Sequence, residues 1–180
     1  MDKMIGRTAL SETKLKGVLK IKRYRSDDHR GFYAEIYIKE VYQKLGITAD
    51  LTKEVVHSFS RKRTLRGLHG DNKTWKLVSC PFGELYLVVL NYDQNSDQFG
   101  QWESFTLTPK NRLQILVPPR FANGHLVISE WAMFHYCQSE YYTSANNQFV
   151  VSWKDPRFNI VWPLKPGQKP LMSPRDQEAK

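Results

Sequence analysis

The run Glu84-Leu85-Tyr86-Leu87-Val88-Val89-Leu90-Asn91-Tyr92 is short, apolar and rich in β-branched and aromatic side chains, with Gly83 at its head. That composition favours a strand, and the glycine marks a tight turn from the preceding apolar run, Trp75 to Pro81. The pattern recurs downstream. Trp102 to Leu107 and Arg112 to Val117 alternate, and Pro118-Pro119 stops the second of them, because neither proline can donate to a ladder. His125 to Ser129 and Met133 to Ser139 read as another antiparallel pair, with Phe149 to Trp153 following, while Asn91 to Gly100 is polar and turn-rich. A helix is expected over Ile36 to Leu45, closed by Gly46 as its C-cap. Short strands at regular spacing with Gly and Pro turns predict an all-β sandwich or barrel, most simply a jelly roll, carrying one or two short helices. A chain of 180 residues suits one domain over 1–180. The stretch from Leu164, with Pro166, Gly167, Pro170 and Pro174, is expected to be irregular and surface-bound.

Charge and composition then limit the function classes. The net charge of +9 suggests an anionic partner, yet the basic residues are scattered and no helix-turn-helix, zinc-finger or RNA-recognition pattern accompanies them. A phosphate-bearing small molecule accounts for the local clusters, and nucleic acid is not expected. No apolar run approaches the roughly 20 residues that span a bilayer. Met1 to Lys22 lacks the continuous apolar block of a signal peptide. Cys80 and Cys137 lie far apart in strand-like segments, which suits reduced thiols and a cytoplasmic protein.

The chemistry concentrates in Arg66-Gly67-Leu68-His69-Gly70-Asp71 with Lys76, a stretch expected to run from one strand into the next. It brings an imidazole, a guanidinium and an ammonium together. Removing a proton from carbon beside a carbonyl needs a base of near-neutral pKa and a cation for the developing oxyanion. Arginine can also anchor an anionic substrate through two parallel hydrogen bonds. A basic turn with a satisfied histidine is the competing structural reading.

Across nearly its whole length the chain resembles the dTDP-4-dehydrorhamnose 3,5-epimerase family of nucleotide-sugar epimerases, which are cupin-type jelly rolls. The resemblance is carried by Arg30-Gly31-Phe32-Tyr33-Ala34-Glu35, Arg66-Gly67-Leu68-His69, Lys76-Leu77-Val78 and Phe99-Gly100-Gln101-Trp102. It continues through Pro118 to Gly124, Tyr136, Tyr141-Tyr142, Trp153-Lys154-Asp155-Pro156, Ile160-Val161-Trp162-Pro163 and Leu171-Met172-Ser173 with Asp176. It implies a nucleoside-diphosphate 4-keto-6-deoxy sugar as substrate, inverted at C3, C5 or both through an enolate, in bacterial surface polysaccharide synthesis. His69 matches the catalytic base, Asp155 its carboxylate partner, Lys76 the cation near the C4 oxygen, and Tyr136 the acid on the opposite face of the sugar. Arg66 matches a phosphate contact, while Arg30, Tyr33 and Glu35 match positions that reach the nucleotide across a homodimer with exchanged N-terminal strands. Tyr142, Asn123 and His125 match the surroundings of the sugar and nucleotide.

Each assignment has a structural rival: a core histidine at His69, a turn started by Asp155 before Pro156, and aromatic packing for Tyr136. Many cupins hold a metal, but His29, His57, His69, His125 and His135 lack ligand spacing, so no metal and no cofactor are expected. The chain departs from the family pattern at Glu54-Val55-Val56, at Gly70 to Trp75, and at Ala122-Asn123-Gly124-His125, where Ala-His-Gly-Phe is usual. These departures are expected around the nucleotide and the rim of the sugar pocket. The stretch His69-Gly70-Asp71-Asn72-Lys73-Thr74 resembles a branch acting on GDP-linked 4-keto-6-deoxy sugars, heptoses included. Two alternatives are a cupin that moves the keto group between C3 and C4, and a non-catalytic cupin that holds a nucleotide or polyanion.

Overall fold

The computed structural model describes residues 3–179, and its strands form two facing antiparallel sheets and a separate hairpin. The seven-stranded sheet has the order β1 (Lys3–Ile5), β2 (Thr8–Glu12), β3 (Leu19–Lys22), β11 (Leu113–Val117), β8 (Lys76–Phe82), β13 (Trp131–Gln138), β6 (Glu54–Arg61). The five-stranded sheet has the order β10 (Trp102–Leu107), β9 (Leu85–Asn91), β12 (Phe121–Val127), β7 (Leu65–Gly70), β14 (Phe149–Val150). The hairpin pairs β4 (Arg25–Asp28) with β5 (Gly31–Ala34). This is the expected jelly roll.

The expected hairpins, however, are not hairpins. β8 and β9 lie in opposite sheets, and so do β12 and β13, so each connection carries the chain across the sandwich. Apolar alternation reports that a strand is buried but does not name its neighbour, which explains the misreading. The corner itself is tightly built. Gly83 has φ +77°, and a Cβ there would stand 2.1 Å from the Trp131 carbonyl oxygen. Ser129 Oγ accepts from the Glu84 amide at 2.8 Å and donates to the Trp131 carbonyl at 2.6 Å.

The continuous apolar character of β9 follows from burial on both faces. Leu85, Leu87 and Val89 join Val78, Ile115, Phe105 and Phe134 between the sheets. Val88 and Leu90 point the other way, under Phe158 and Trp162. Part of the outer face of the larger sheet is covered by helix α1 (Lys39–Leu45), whose Tyr42 and Leu45 pack with Leu10, Ile21 and Leu116. This helix begins three residues later than the expected Ile36, because Ile38 is still extended at φ −133°. Its end is as expected. Gly46 is left-handed at φ +99°, its amide bonds to Gln43, and the Ile47 amide bonds to Tyr42, the paired bonds of a Schellman cap.

The C-terminal stretch is docked rather than merely laid on the surface. Leu171 forms a parallel bridge to Thr64, its amide donating to the Arg63 carbonyl at 2.8 Å and its carbonyl accepting from the Leu65 amide at 2.9 Å. A short helix α2 (Pro174–Gln177) follows, and its Asp176 is buried. Among the described residues no helix is long and apolar enough to cross a membrane.

Because Trp162 seals the outer face of the five-stranded sheet and donates its indole N–H to the Trp153 carbonyl at 2.8 Å, Trp162→Ala should cost about 3–5 kcal/mol in urea unfolding. A loss under about 1 kcal/mol would mean that the cover is not part of the cooperative core.

Candidate active site

His69 lies on β7 and Tyr136 on β13, so the two side chains project from opposing sheets into one cavity of about 340 Å³. Lys76, at the start of β8, is beside Tyr136 on the larger sheet, and Arg66 precedes His69 by three residues on the smaller one. Asn123 is the register partner of His69 across β12 and β7. The close approach of these two strands explains Gly67: its φ is +109°, and a Cβ would stand 2.7 Å from both the Asn123 carbonyl oxygen and the Gly124 Cα. Any side chain at 67 would push β7 away and move His69 with it.

The carboxylate on His69 is Asp176, with His69 Nε2 at 2.6 Å from Asp176 Oδ1. This corrects the assignment of Asp155. The Asp155 oxygens are taken by Arg157, with Nη2 at 2.6 Å and Nε at 3.0 Å, and its amide donates back to the Ser152 carbonyl. Asp155 is the turn residue of the competing reading and does not line the cavity. Asp176 is delivered by a reciprocal cap on α2: Ser173 Oγ accepts from the Asp176 amide at 3.2 Å and donates to Asp176 Oδ2 at 2.9 Å. The signal in the sequence was Ser173-Pro174-Arg175-Asp176, a cap residue followed by proline and then an acid at the third helical position. Ser58, Gln138, Gln148 and Arg175 also line the cavity and were not singled out from the sequence.

Burial sets the protonation tendencies. It pushes the Lys76 ammonium below the usual lysine range, against the pull of Asp71 and Glu54. It raises the Tyr136 phenol, with Glu54 and Tyr142 adding to the effect. Lys76 Nζ stands 5.8 Å from the centre of the Tyr136 ring. Burial would raise Asp176 as well, but the His69 hydrogen bond and charge, the Ser173 hydroxyl and the Gly67 amide outweigh it and hold the carboxyl low.

The remaining expected residues divide. Arg66 reaches the cavity while its Nε and Nη2 contact Ser60 Oγ at 3.3 and 3.2 Å. Tyr142 lies at the mouth, half exposed, with its amide donating to Glu54. His125 is deep rather than on the rim: it is 2% exposed and its ring stacks on Phe134 at 4.1 Å. Arg30, Tyr33 and Glu35 are not brought to His69 within this chain. They line another cleft beside the β4–β5 hairpin, where Arg30 pairs with Asp28 and Glu35 with Arg7 and Arg23. Among the described residues no three His, Cys, Asp or Glu side chains converge as metal ligands.

The arrangement offers a carboxylate-held imidazole facing a phenol, with an ammonium at one side and a guanidinium at the other. It suits proton transfer on both faces of a small anionic molecule. The sequence profile of the dTDP-4-dehydrorhamnose 3,5-epimerase family matches residues 12–180. The enzyme of that name from Salmonella typhimurium is 36% identical over 155 residues, covering 84% of this chain and 83% of its own. The fold is similar to dTDP-6-deoxy-D-glucose-3,5-epimerase from Legionella pneumophila, solved with dTDP-4-keto-L-rhamnose, at TM-score 0.89 and 33% identity over 96% of this chain and 91% of that one. It is similar also to the Bacillus anthracis dTDP-4-dehydrorhamnose 3,5-epimerase, solved with TDP and PPi, at TM-score 0.88 and 30% identity, covering 96% and 98%.

The low pKa of Asp176 gives a pH signature. A carboxyl whose folded pKa lies below its ordinary 3.8 adds stability above that value, and the contribution fades as pH falls through the folded pKa. Asp176→Asn should therefore cost about 1–3 kcal/mol in unfolding at about pH 7, and clearly less at about pH 3. An equal penalty at both pH values would remove the ionised carboxylate from the account.

Proposed function

We propose that this chain, which belongs to the dTDP-4-dehydrorhamnose 3,5-epimerase family, inverts C3, C5 or both of a nucleoside-diphosphate 4-keto-6-deoxy sugar. The observation that carries the reading is the placement of His69 and Tyr136 on opposing walls of one cavity. The C4 carbonyl acidifies the hydrogens on C3 and C5. His69 removes one as general base, and Asp176 orients the ring through one nitrogen and supports the imidazolium that forms. Negative charge moves onto the C4 oxygen as the enolate develops. Lys76 supplies the cation there, and its desolvated setting strengthens the interaction over the same contact in water. Tyr136 then returns a proton from the other side. Its raised pKa keeps the phenol protonated until the enolate carbon takes the proton, and the nearby Lys76 ammonium offsets the phenolate left behind. A single group acting on one face would restore the starting configuration.

Arg66 serves the diphosphate as an anchor, its planar guanidinium matching two phosphate oxygens at once. The names of the relatives favour a thymidine nucleotide, while the His69-Gly70-Asp71-Asn72-Lys73-Thr74 stretch keeps a guanosine nucleotide in the comparison. A homodimer would bring Arg30, Tyr33 and Glu35 of a second copy toward the nucleotide. Their distance from the site within one chain supports this, as does the exposed aromatic face of Phe59, Phe82 and Trp131 on the larger sheet. The buried free thiols Cys80 and Cys137 suit a reducing cytoplasm.

Incubation in deuterated water with dTDP- and GDP-linked 4-keto-6-deoxy sugars, followed by NMR, tests the reaction. Deuterium should enter at C3, C5 or both, with inversion, and absence of exchange from every such sugar would sink the proposal. His69→Ala and Asp176→Asn should each slow exchange by about 100- to 10,000-fold, whereas Asp155→Asn should leave it within about threefold. Tyr136→Phe should slow inversion more than the first proton removal. Equal loss of both would take the acid role away from Tyr136.

A further inference from the structure

His125 Nε2 and Ser58 Oγ are buried atoms of the same cavity, and neither has a hydrogen-bond partner. Both flank Phe134: the His125 ring stacks on it with planes 12° apart, and Ser58 is its register partner across β6 and β13. The aromatic stack fixes the imidazole in place, and Phe134 has no polar side-chain atom to offer. Leaving a polar group buried and unpaired costs about 1–3 kcal/mol, so a pair of them in a substrate cavity points to a ligand group that completes both.

The chemistry narrows what that group is. Burial, with Arg66 and His69 nearby, pushes the His125 pKa down to about 3, so the ring is neutral and presents one N–H and one lone pair. Serine likewise both donates and accepts. The diphosphate has its cation in Arg66, opposite His125 across β7 and β12, whereas His125 and Ser58 are themselves uncharged and suit an uncharged group. A methyl group would leave both atoms unpaired. A sugar hydroxyl, donor and acceptor at once, matches them whichever ring nitrogen carries the proton.

We propose that His125 and Ser58 form a hydroxyl-binding subsite that fixes the sugar half of the substrate and selects a hydroxyl over an apolar substituent at that point. The proposal deepens the epimerase reading and rests on it. His125 would then be a specificity residue, separate from the proton-transfer groups. Selection of this kind is strong because the wrong substituent strands buried polar atoms instead of merely losing a contact.

The test is calorimetric binding of two unreactive sugar nucleotides, dTDP-L-rhamnose and GDP-L-fucose, beside bare dTDP and GDP. His125→Phe keeps an aromatic ring for the Phe134 stack and removes the nitrogens; Ser58→Ala removes only a hydroxyl and serves if the first variant folds poorly. Either variant should weaken the better-bound sugar nucleotide by about tenfold while shifting its bare nucleotide by less than about twofold. Unchanged sugar-nucleotide binding, or an equal loss for the bare nucleotide, would overturn the subsite. Binding is read separately from deuterium exchange, so the two proposals fail in different ways. A wild-type chain that exchanges no ring hydrogens sinks the epimerase reading, whereas exchange with variant binding unaltered sinks only the subsite.

Discussion

The hydrogen bond between Asp176 and His69 joins side chains 107 positions apart, and the geometry of the site depends on it. Bringing those positions together carries an entropic cost that one hydrogen bond does not offset. The docking of the C-terminal stretch offsets it: Phe158 and Trp162 cover the outer face of the five-stranded sheet, and Leu171 is bonded to the chain on both sides of Thr64. The orientation of the imidazole is therefore a consequence of apolar burial on the far side of its own strand. The carboxylate in turn stays ionised in a buried place only because His69, Ser173 and the Gly67 amide all point at it. Gly67 thus serves twice, letting β12 come close and presenting its N–H to Asp176.

Burial pushes three titrating groups of the cavity in one direction. Lys76 is lowered, Tyr136 is raised and His125 is lowered, each toward its neutral form, while Asp176 is held ionised by its partners. Charge created in such surroundings is felt strongly by the few groups that can answer it. An enolate forming beside Lys76 is a favourable event in this cavity and would be a weak one in water. Burial likewise makes the unpaired atoms of His125 and Ser58 costly, so recognition and catalysis draw on one property of the cavity.

Much of the fold was legible because short apolar runs with Gly and Pro stops admit few architectures. The runs at Lys76–Phe82, Leu85–Asn91, Trp102–Leu107 and Leu113–Val117 lie within a residue of their expected bounds. What the pattern could not give was membership of a sheet, since β8 followed by β9 reads the same whether the strands pair or cross the sandwich. The N-terminal strands β1 to β3 were not read, because Lys14, Lys16, Lys20 and Lys22 break up the apolar signal. Within the site, His69, Lys76, Tyr136 and Arg66 are singled out by the motifs that carry them, and the structure places all four along one cavity. Asp155 and Asp176 each stand in a short polar motif near a proline, and sequence gives no measure of which turn folds back onto β7. That choice belongs to tertiary docking.

The sandwich itself explains why both faces of a bound sugar can be served. One sheet offers side chains to its interior from one side only, so a base and an acid on the same sheet would approach a ring from the same direction. Two facing sheets give opposed rows, and His69 on β7 and Tyr136 on β13 occupy one row each. Lys76, next to Tyr136 on the larger sheet, fixes where the C4 oxygen must lie if its charge is to be met. C3 and C5 both flank C4, so a ring held by that oxygen keeps either carbon near His69 with little movement. The count of inverted centres then turns on where Tyr136 stands relative to the two carbons, and its ring is packed against Phe134 at 5.5 Å. Phe134 also stacks on His125, so the phenol assigned as the acid and the imidazole assigned to the sugar hydroxyl pack against one and the same ring.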